Sequence, residues 1–232
     1  MKIIELENVN SVEEVVAQLS SDNPIAILEF PRVYGLIAAN SLKGVQAINT
    51  VKKRLPNKFY GSMLGDYINF SKVIPNNLFQ ILVRLVNNID GALLRFPVDC
   101  TILKDNLVTH NGTHQVLVEN HALTEIMAKV DLGLQNILKK SDFFSVNFQA
   151  PIISSLNTSG HHKGSITNEK HAIKFGIENQ VPLFIKTNLI APPFGSYPIF
   201  NINRSNQITC LREGPNAEII EQQLNSAIQS IN

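Results

Sequence analysis

The chain has 232 residues, of which 44% are hydrophobic and 17% are charged, enough to bury a full core. Twenty Lys and Arg against nineteen Asp and Glu leave a net charge of +1, so overall charge does not argue for a nucleic-acid partner. Two cysteines do not make a disulfide framework, and no apolar stretch approaches the length of a membrane span. We therefore expect one reduced, cytoplasmic, globular domain over residues 1–232.

The first half of the chain alternates between helical and strand patterns. Helices are indicated by apolar residues at three- and four-residue spacing after a capping hydroxyl, and strands by short apolar runs bounded by proline or glycine. These patterns predict a helix from Ser11, a strand at 24–31, a turn at 32–36, a helix from Ser41 to the basic residues near 54, a strand at 59–64, a helix at 76–89 and a strand at 92–96.

The second half continues the alternation. The patterns predict two short strands around Asn111-Gly112 within 99–117, a helix at 123–138, strands at 143–148 and 182–185, a hairpin of 197–202 with 207–211, and a helix at 215–231. Strands and helices that alternate in this way indicate an α/β domain with a mixed sheet.

Small polar residues follow an apolar run in the middle of the chain. Residues 150–153 read Ala-Pro-Ile-Ile, and residues 154–160 read Ser-Ser-Leu-Asn-Thr-Ser-Gly. Ser and Asn side chains donate to anionic oxygens, and Gly160 permits the positive φ that turns successive N–H groups inward. The pattern predicts a phosphate-sized loop after a buried strand, and a plain polar turn is the alternative.

A basic patch ends the helical pattern that starts at Ser41. It consists of Lys52, Lys53, Arg54 and Lys58. Cations at a helix C-terminus are also favoured by the helix dipole, so a solvated helix end is the alternative interpretation. Together with the polar loop, the patch predicts a two-sided polyphosphate site, in which cations neutralise charge and polar donors fix orientation.

Four segments, in order, resemble the YrdC-like family of L-threonylcarbamoyladenylate synthases. They are residues 30–36 (FPRVYGL), residues 45–54 with a terminal Lys-x-Arg, residues 154–160, which resemble the family's Ser-Ala-Asn-x-Ser-Gly loop, and residues 208–214, which resemble its Leu-Arg-x-Gly strand. The resemblance implies a twisted sheet of parallel and antiparallel strands with flanking helices and a positively charged concave face.

The resemblance also implies chemistry. Synthases of this family condense threonine, bicarbonate and ATP into threonylcarbamoyl-adenylate for tRNA modification, and Mg²⁺ is expected with ATP. By residue-to-residue correspondence, Lys52, Arg54, Ser155 and Asn157 would be catalytic and nucleotide-binding, Ser159 and Arg212 would add to the nucleotide site, and Arg32 and Tyr34 would lie at the acceptor pocket. The expected substrates are ATP and a small carboxylate or amino acid, and no protein metal site is predicted.

The chain departs from the family at the acceptor side. Pro31-Arg32-Val33 is shorter than the family's Pro-Thr-(Asp/Glu)-Thr-Val, and Leu117 aligns with the arginine of the family's Val-x-Val-Arg-x-Pro strand. Two hypotheses follow. The first is an ATP-using synthase, and the second is a non-catalytic module of the same fold that binds nucleotide, double-stranded RNA or tRNA through phosphate contacts.

Overall fold

The structure is a computed structural model that describes residues 1–6, 9–54, 60–63, 70–86, 88–89, 91–99, 112–119, 121–137, 150–157 and 164–230. The strands are β1 (Lys2–Glu5), β2 (Ile25–Glu29), β3 (Tyr34–Ala38), β4 (Gly61–Met63), β5 (Ala92–Pro97), β6 (Thr113–Val118), β7 (Ile152–Ser155), β8 (Leu183–Lys186), β9 (Ile199–Ile202) and β10 (Ile208–Arg212). The helices are α1 (Val9–Leu19), α2 (Leu42–Lys52), α3 (Asn76–Val86), α4 (His121–Ile137), α5 (Glu169–Glu178) and α6 (Ala217–Gln229).

The ten described strands form one sheet in the order β1-β8-β2-β3-β7-β4-β6-β5-β9-β10. Four pairs are parallel (β1 with β8, β2 with β8, β4 with β6, β5 with β9), and the other five are antiparallel. Strands distant in sequence therefore become neighbours, and the predicted mixed α/β sheet with flanking helices is confirmed.

The helices cover both faces of the sheet. Alternate residues of β2 point to opposite faces, so Ile25 and Ile27 pack beneath α2 and α5, while Ala26 and Leu28 join the core against α1 and α4. Further along the sheet, α3 and α6 cover the α2–α5 side of β5, β6 and β9. Of the helices described, none is both long and apolar enough to cross a membrane.

Helix α2 is defined at both ends, which places the basic patch. Ser41 is its N-cap, and the Ser41 hydroxyl accepts a hydrogen bond from the Gly44 amide at 3.1 Å. Lys53 ends the helix in the left-handed conformation with φ of 46°, and its amide donates to the carbonyls of Asn49 and Thr50. Lys52 therefore occupies the last helical position, and Arg54 follows the turn.

The structure corrects parts of the predicted element list. Residues 32–36, predicted as a turn, contain the start of β3, which is buried along its whole length and so lacks the alternation that marks a half-exposed strand. The sequence patterns also missed β1 and α5. Of the strands predicted at 99–117, the described one is β6, which pairs with β5. The strand predicted at 143–148 and Ser159 lie outside the described residues.

Gly44 generates a stability prediction, because a Cβ at this position would lie 2.0 Å from the Ala39 carbonyl oxygen. Alanine normally favours a helix over glycine, but here the overlap is with main chain and cannot be relieved by a side-chain rotation. We expect Gly44→Ala to lower the free energy of unfolding by about 1–3 kcal/mol, as overpacking does.

Urea unfolding measures this difference, and Gln46→Ala on the exposed side of α2 is the matched control, expected to be neutral or slightly stabilising. A Gly44→Ala variant as stable as the control would contradict the close approach of α2 to residue 39.

Candidate functional site

A cavity of about 500 Å³ lies over the central strands, on the sheet face that α1 and α4 cover elsewhere. This volume is within the range of roughly 300–1,000 Å³ that is usual for small-molecule sites. The apolar part of its floor is formed by residues that also belong to the core on that face, namely Leu93, Leu117, Ile153 and Ile199.

Strand register explains which side chains reach the cavity. Leu93 pairs with Leu117 and Ile199, and Arg95, two residues further along β5, pairs with Gln115. Residues paired across a sheet and residues two apart along a strand share one face, so Arg95 and Gln115 rise beside the apolar floor. The same rule places Ser155, opposite Gly35, on this face.

Lys52 is buried at the β7 end of the cavity, with 2% of its surface exposed. Its ammonium donates to the Ser155 carbonyl, to the Asn157 carbonyl at 2.9 Å and to the Asn157 side-chain oxygen at 2.7 Å. These three acceptors match the three N–H groups of an ammonium. Burial, and then the nearby Arg54 guanidinium, lower the pKa of Lys52 to about 7.

Arg54 stands beside Lys52 and is also tied to β7. Its Nη1 donates to the Ser154 hydroxyl at 3.1 Å, and its guanidinium carbon lies 4.2 Å from the centre of the Tyr60 ring. When a guanidinium stacks on an aromatic face, the N–H groups at its edge remain available for hydrogen bonds in its own plane. These donors suit the oxygens of a carboxylate or phosphate. Burial lowers the pKa of Arg54 from its usual value, although arginine keeps its charge at any physiological pH.

Two more arginines stand at the other end. Arg95 Nε donates to the Gln115 side-chain oxygen at 2.8 Å, and Arg212 donates through Nε at 3.2 Å and Nη2 at 2.6 Å to the Tyr197 carbonyl. Partial burial, and then the charge of Arg95, lower the pKa of Arg212. Because β7 and β5 are three strand spacings apart, the strand that Lys52 and Arg54 contact lies about 14 Å from the strand that carries Arg95.

The sequence reasoning missed Arg95. By sequence, Leu117 aligns with the family arginine, but residues 94–97 read Leu-Arg-Phe-Pro and carry the Arg-x-Pro part of that pattern one strand earlier. The structure places Leu117 in the cavity floor and brings Arg95 to the same cavity on the neighbouring strand. The Arg-x-Pro sequence is the signal by which Arg95 could have been found.

The predicted site residues divide into three groups. Lys52, Arg54, Ser155, Asn157 and Arg212 all line the one cavity. Ser159 belongs to the undescribed residues.

Arg32 and Tyr34 form the third group, because they do not line the cavity. Arg32 donates to the carbonyls of Ala191 and Pro193. The Tyr34 hydroxyl donates to Glu29 at 3.1 Å, and its ring packs on Phe184. Since Tyr34 is on β3 and points to the α2–α5 side, it faces away from the cavity.

Charge is the clearest chemical property of the cavity. Its described lining contains four cationic side chains and no carboxylate. Positive charges favour the ionised state of an acidic ligand in a partly desolvated site, so the chemistry of this lining suits an anion.

Magnesium was expected with ATP, and the lining tests that expectation. Mg²⁺ in nucleotide sites is usually held by one or two protein carboxylates together with substrate phosphates. The described cavity residues offer hydroxyl and amide oxygens only, and no group of three His, Cys, Asp or Glu among the described residues is placed for a metal ion. The described lining therefore does not fit a protein-held Mg²⁺.

No protein-family model matches the sequence, and neither does any curated protein. Solved structures do match. Sua5 from P. abyssi, in a double variant, superposes with a TM-score of 0.70 at 15% identity over 95% of this chain, and a structure of the same protein complexed with L-threonine gives 0.65 at 16% over 95%. This chain spans 63% and 60% of those two Sua5 chains.

Two further structures match over nearly their whole length. A hypothetical protein of Streptococcus mutans, smu.1377c, has a TM-score of 0.67 at 13% identity, covering 98% of this chain and 95% of its own. E. coli YciO has a TM-score of 0.61 at 15% identity, covering 92% and 94%. At these identities the likeness is one of fold, and the chain has the Sua5/YrdC fold that its sequence motifs predicted.

Proposed function

We propose that this chain binds ATP in the cavity and uses it to form an acyl- or carbamoyl-adenylate, as in L-threonylcarbamoyladenylate synthesis for tRNA modification. The observation that carries the proposal is the gathering of Lys52, Arg54, Arg95 and Arg212 around one cavity whose described lining holds no carboxylate. A triphosphate is the common metabolite group that combines several adjacent negative charges, and the cations that it does not reach would serve a second, anionic substrate.

The reaction makes a specific demand on such a site. For a carbamoyl-adenylate, the amino group of the acceptor first combines with bicarbonate and loses water to give a carbamate. An oxygen of that carbamate, or of the acceptor's carboxylate for an acyl-adenylate, forms a bond to the α-phosphorus of ATP, and the bond from that phosphorus to the bridging oxygen breaks, so pyrophosphate leaves with the electron pair. Negative charge accumulates on the leaving pyrophosphate, and preorganised cations lower the barrier most where charge develops. Positioning of the two substrates supplies much of the remaining rate acceleration, since transfers at phosphorus need little covalent catalysis by the protein.

The residues of the β7 end have distinct roles in this proposal. Lys52 braces the turn that carries Ser155 and Asn157, because it donates to both of their carbonyls, and its charge adds to the field at the phosphates. The Ser155 hydroxyl donates to the Asn157 side-chain oxygen at 3.1 Å, which holds the two polar side chains together. Arg54 supplies a guanidinium for the phosphate oxygens.

The acceptor would lie at the other end of the cavity. One of the matching Sua5 structures is a complex with L-threonine, which supports an amino acid in this role. Arg95, aligned by Gln115, offers a guanidinium for the acceptor carboxylate, and the floor of Leu93 and Ile199 offers an apolar surface for its side chain.

Titration calorimetry with Mg-ATP tests the nucleotide site. We expect Lys52→Ala and Arg54→Ala each to lower ATP affinity about 10- to 100-fold. Arg54→Ala removes hydrogen bonds from a charged group to phosphate, which contribute roughly 1.5–3 kcal/mol, and Lys52→Ala removes a nearby charge and the bonds that hold Ser155 and Asn157. Arg84→Ala is the matched control, since Arg84 lies outside the cavity and bonds to Ser230. Equal affinity in all three variants would show that ATP binds elsewhere, if it binds at all.

The lowered pKa of Lys52 gives a prediction about protons. With a pKa of about 7, the Lys52 side chain of the ligand-free protein is partly deprotonated near neutral pH. A bound anion stabilises the ammonium form and therefore raises this pKa. Binding at about pH 8 should therefore take up protons, and affinity should fall as the pH rises above the pKa of free Lys52. Calorimetry in two buffers of different ionisation enthalpy measures the uptake, and Lys52→Met should abolish it. The same uptake in Lys52→Met would assign the proton to another group.

Pyrophosphate release tests the chemistry. ATP, bicarbonate and a panel of amino acids should give release above the ATP-only background with at least one acceptor, and Arg95→Ala should lose most of it. ATP binding without release for any acceptor would contradict adenylate formation and favour the non-catalytic alternative, a module that holds nucleotide or RNA. That alternative predicts binding of double-stranded RNA or tRNA that is strongest at low salt.

A further inference from the structure

The turn after β2 and the loop before β9 are joined by four hydrogen bonds. The Ala191 amide donates to the Pro31 carbonyl at 2.9 Å, and the Gly195 amide donates to the Arg32 carbonyl at 3.0 Å. The Arg32 side chain returns two bonds, from Nη1 to the Ala191 carbonyl at 3.3 Å and to the Pro193 carbonyl at 3.2 Å. With 3% of its surface exposed, Arg32 is part of the interior.

The composition of this loop explains why a side chain is needed. Residues 191–195 read Ala-Pro-Pro-Phe-Gly, and the two prolines have no N–H to donate. Among the described residues, main-chain bonds therefore attach the loop at its two ends, through Ala191 and Gly195. The guanidinium of Arg32 adds bonds to the Ala191 and Pro193 carbonyls, and so attaches this exposed stretch to a buried side chain.

The same loop leads directly into the cavity wall. Ser196 and Tyr197 follow Gly195 and line the cavity. The Ser196 hydroxyl bonds to the Ser165 hydroxyl at 2.5 Å, and the Tyr197 carbonyl accepts both hydrogen bonds of Arg212. A continuous series of bonds thus runs from Arg32 through residues 191–197 to a cation of the cavity.

We propose that Arg32 is a positioning residue that fixes residues 191–197 and, through the Tyr197 carbonyl, orients Arg212 towards the bound anion. Its effect on ligand affinity rests on the proposed ATP site, whereas its effect on the loop does not. In this role Arg32 acts on the cavity without contacting the substrate, although the sequence placed it at an acceptor pocket.

Lysine should not replace arginine here. Nη1 of arginine is one bond further from the main chain than the ammonium of lysine, and it is held in a rigid plane that directs both N–H groups at fixed angles. A lysine at position 32 retains the positive charge but should not reach the two carbonyls together. The Arg32→Lys variant therefore separates the effect of geometry from the effect of charge.

A double-mutant cycle on ATP affinity tests the connection to Arg212. We expect Arg32→Gln and Arg32→Lys each to weaken Mg-ATP binding about tenfold or more, comparable with Arg212→Ala. If Arg32 acts through Arg212, the double variant Arg32→Gln with Arg212→Ala should bind no more weakly than Arg212→Ala alone. Arg84→Gln is the matched control and should bind normally. Losses that multiply in the double variant, or wild-type affinity in Arg32→Lys, would overturn the proposal.

Hydrogen exchange tests the loop without any ligand. The amides of Ala191 and Gly195 should exchange at least about tenfold faster in Arg32→Gln and Arg32→Lys than in wild type or Arg84→Gln, because their local opening becomes easier. Unchanged exchange would overturn the positioning role. If wild-type protein fails to bind ATP, the proposed function fails, and the exchange result still decides whether Arg32 fixes the loop. If Arg32→Gln does not fold, Arg32→Lys provides both measurements.

Discussion

The structure around the cavity depends on the burial of one ammonium group. Lys52 is removed from water at the end of α2, and a buried cation is tolerated only when its donors are satisfied. The Ser155 and Asn157 carbonyls and the Asn157 amide oxygen meet that requirement, and by doing so they attach the end of α2 to the end of β7. Two segments about a hundred residues apart in sequence are thereby held as two sides of one site.

The remaining cations reflect how the sheet is arranged. Arg54 is carried by the same helix end, whereas Arg95 comes from β5 and Arg212 from the edge strand β10. The antiparallel pairing of β5 with β6 and its parallel pairing with β9 align Arg95, Gln115 and the apolar floor on one face. Like charges held near one another cost free energy in the empty protein, and an anion removes that cost. An arrangement of this kind is typical of a binding site, since packing alone does not favour it.

Some elements could be predicted because their signals are local. The Ser41 cap and the apolar spacing after it define α2, and the pair β9–β10 follows from two short apolar runs joined by a polar turn. The polar residues after β7 were recognised for the same reason, since small hydroxyl and amide side chains after an apolar run are visible in sequence. Five residues that line the cavity could therefore be named from the sequence: Lys52, Arg54, Ser155, Asn157 and Arg212.

Other features left no local signal. Strand β3 is buried on both faces, so polar and apolar residues do not alternate along it. Its glycine, close to a proline, is also a combination typical of turns. By its position in a strand alone, Arg95 does not stand out in the sequence, and the pairing of β5 with β6 is what places it beside the cavity. The use of Arg32 could not be anticipated, because its two acceptors lie about 160 residues later in the chain, on a loop whose path is fixed only in the folded protein.

The sequence by itself determined the class of fold, the positions of most helices and strands, and the chemical character of the site, because periodicity, caps and motif residues are properties of neighbouring positions. Tertiary structure decided which cations share a cavity and which residues support its walls. These depend on strand order and register, which are set by packing both faces of the whole sheet and are not written in any one segment. That is why Arg95 lines the cavity, whereas Arg32 and Tyr34 do not.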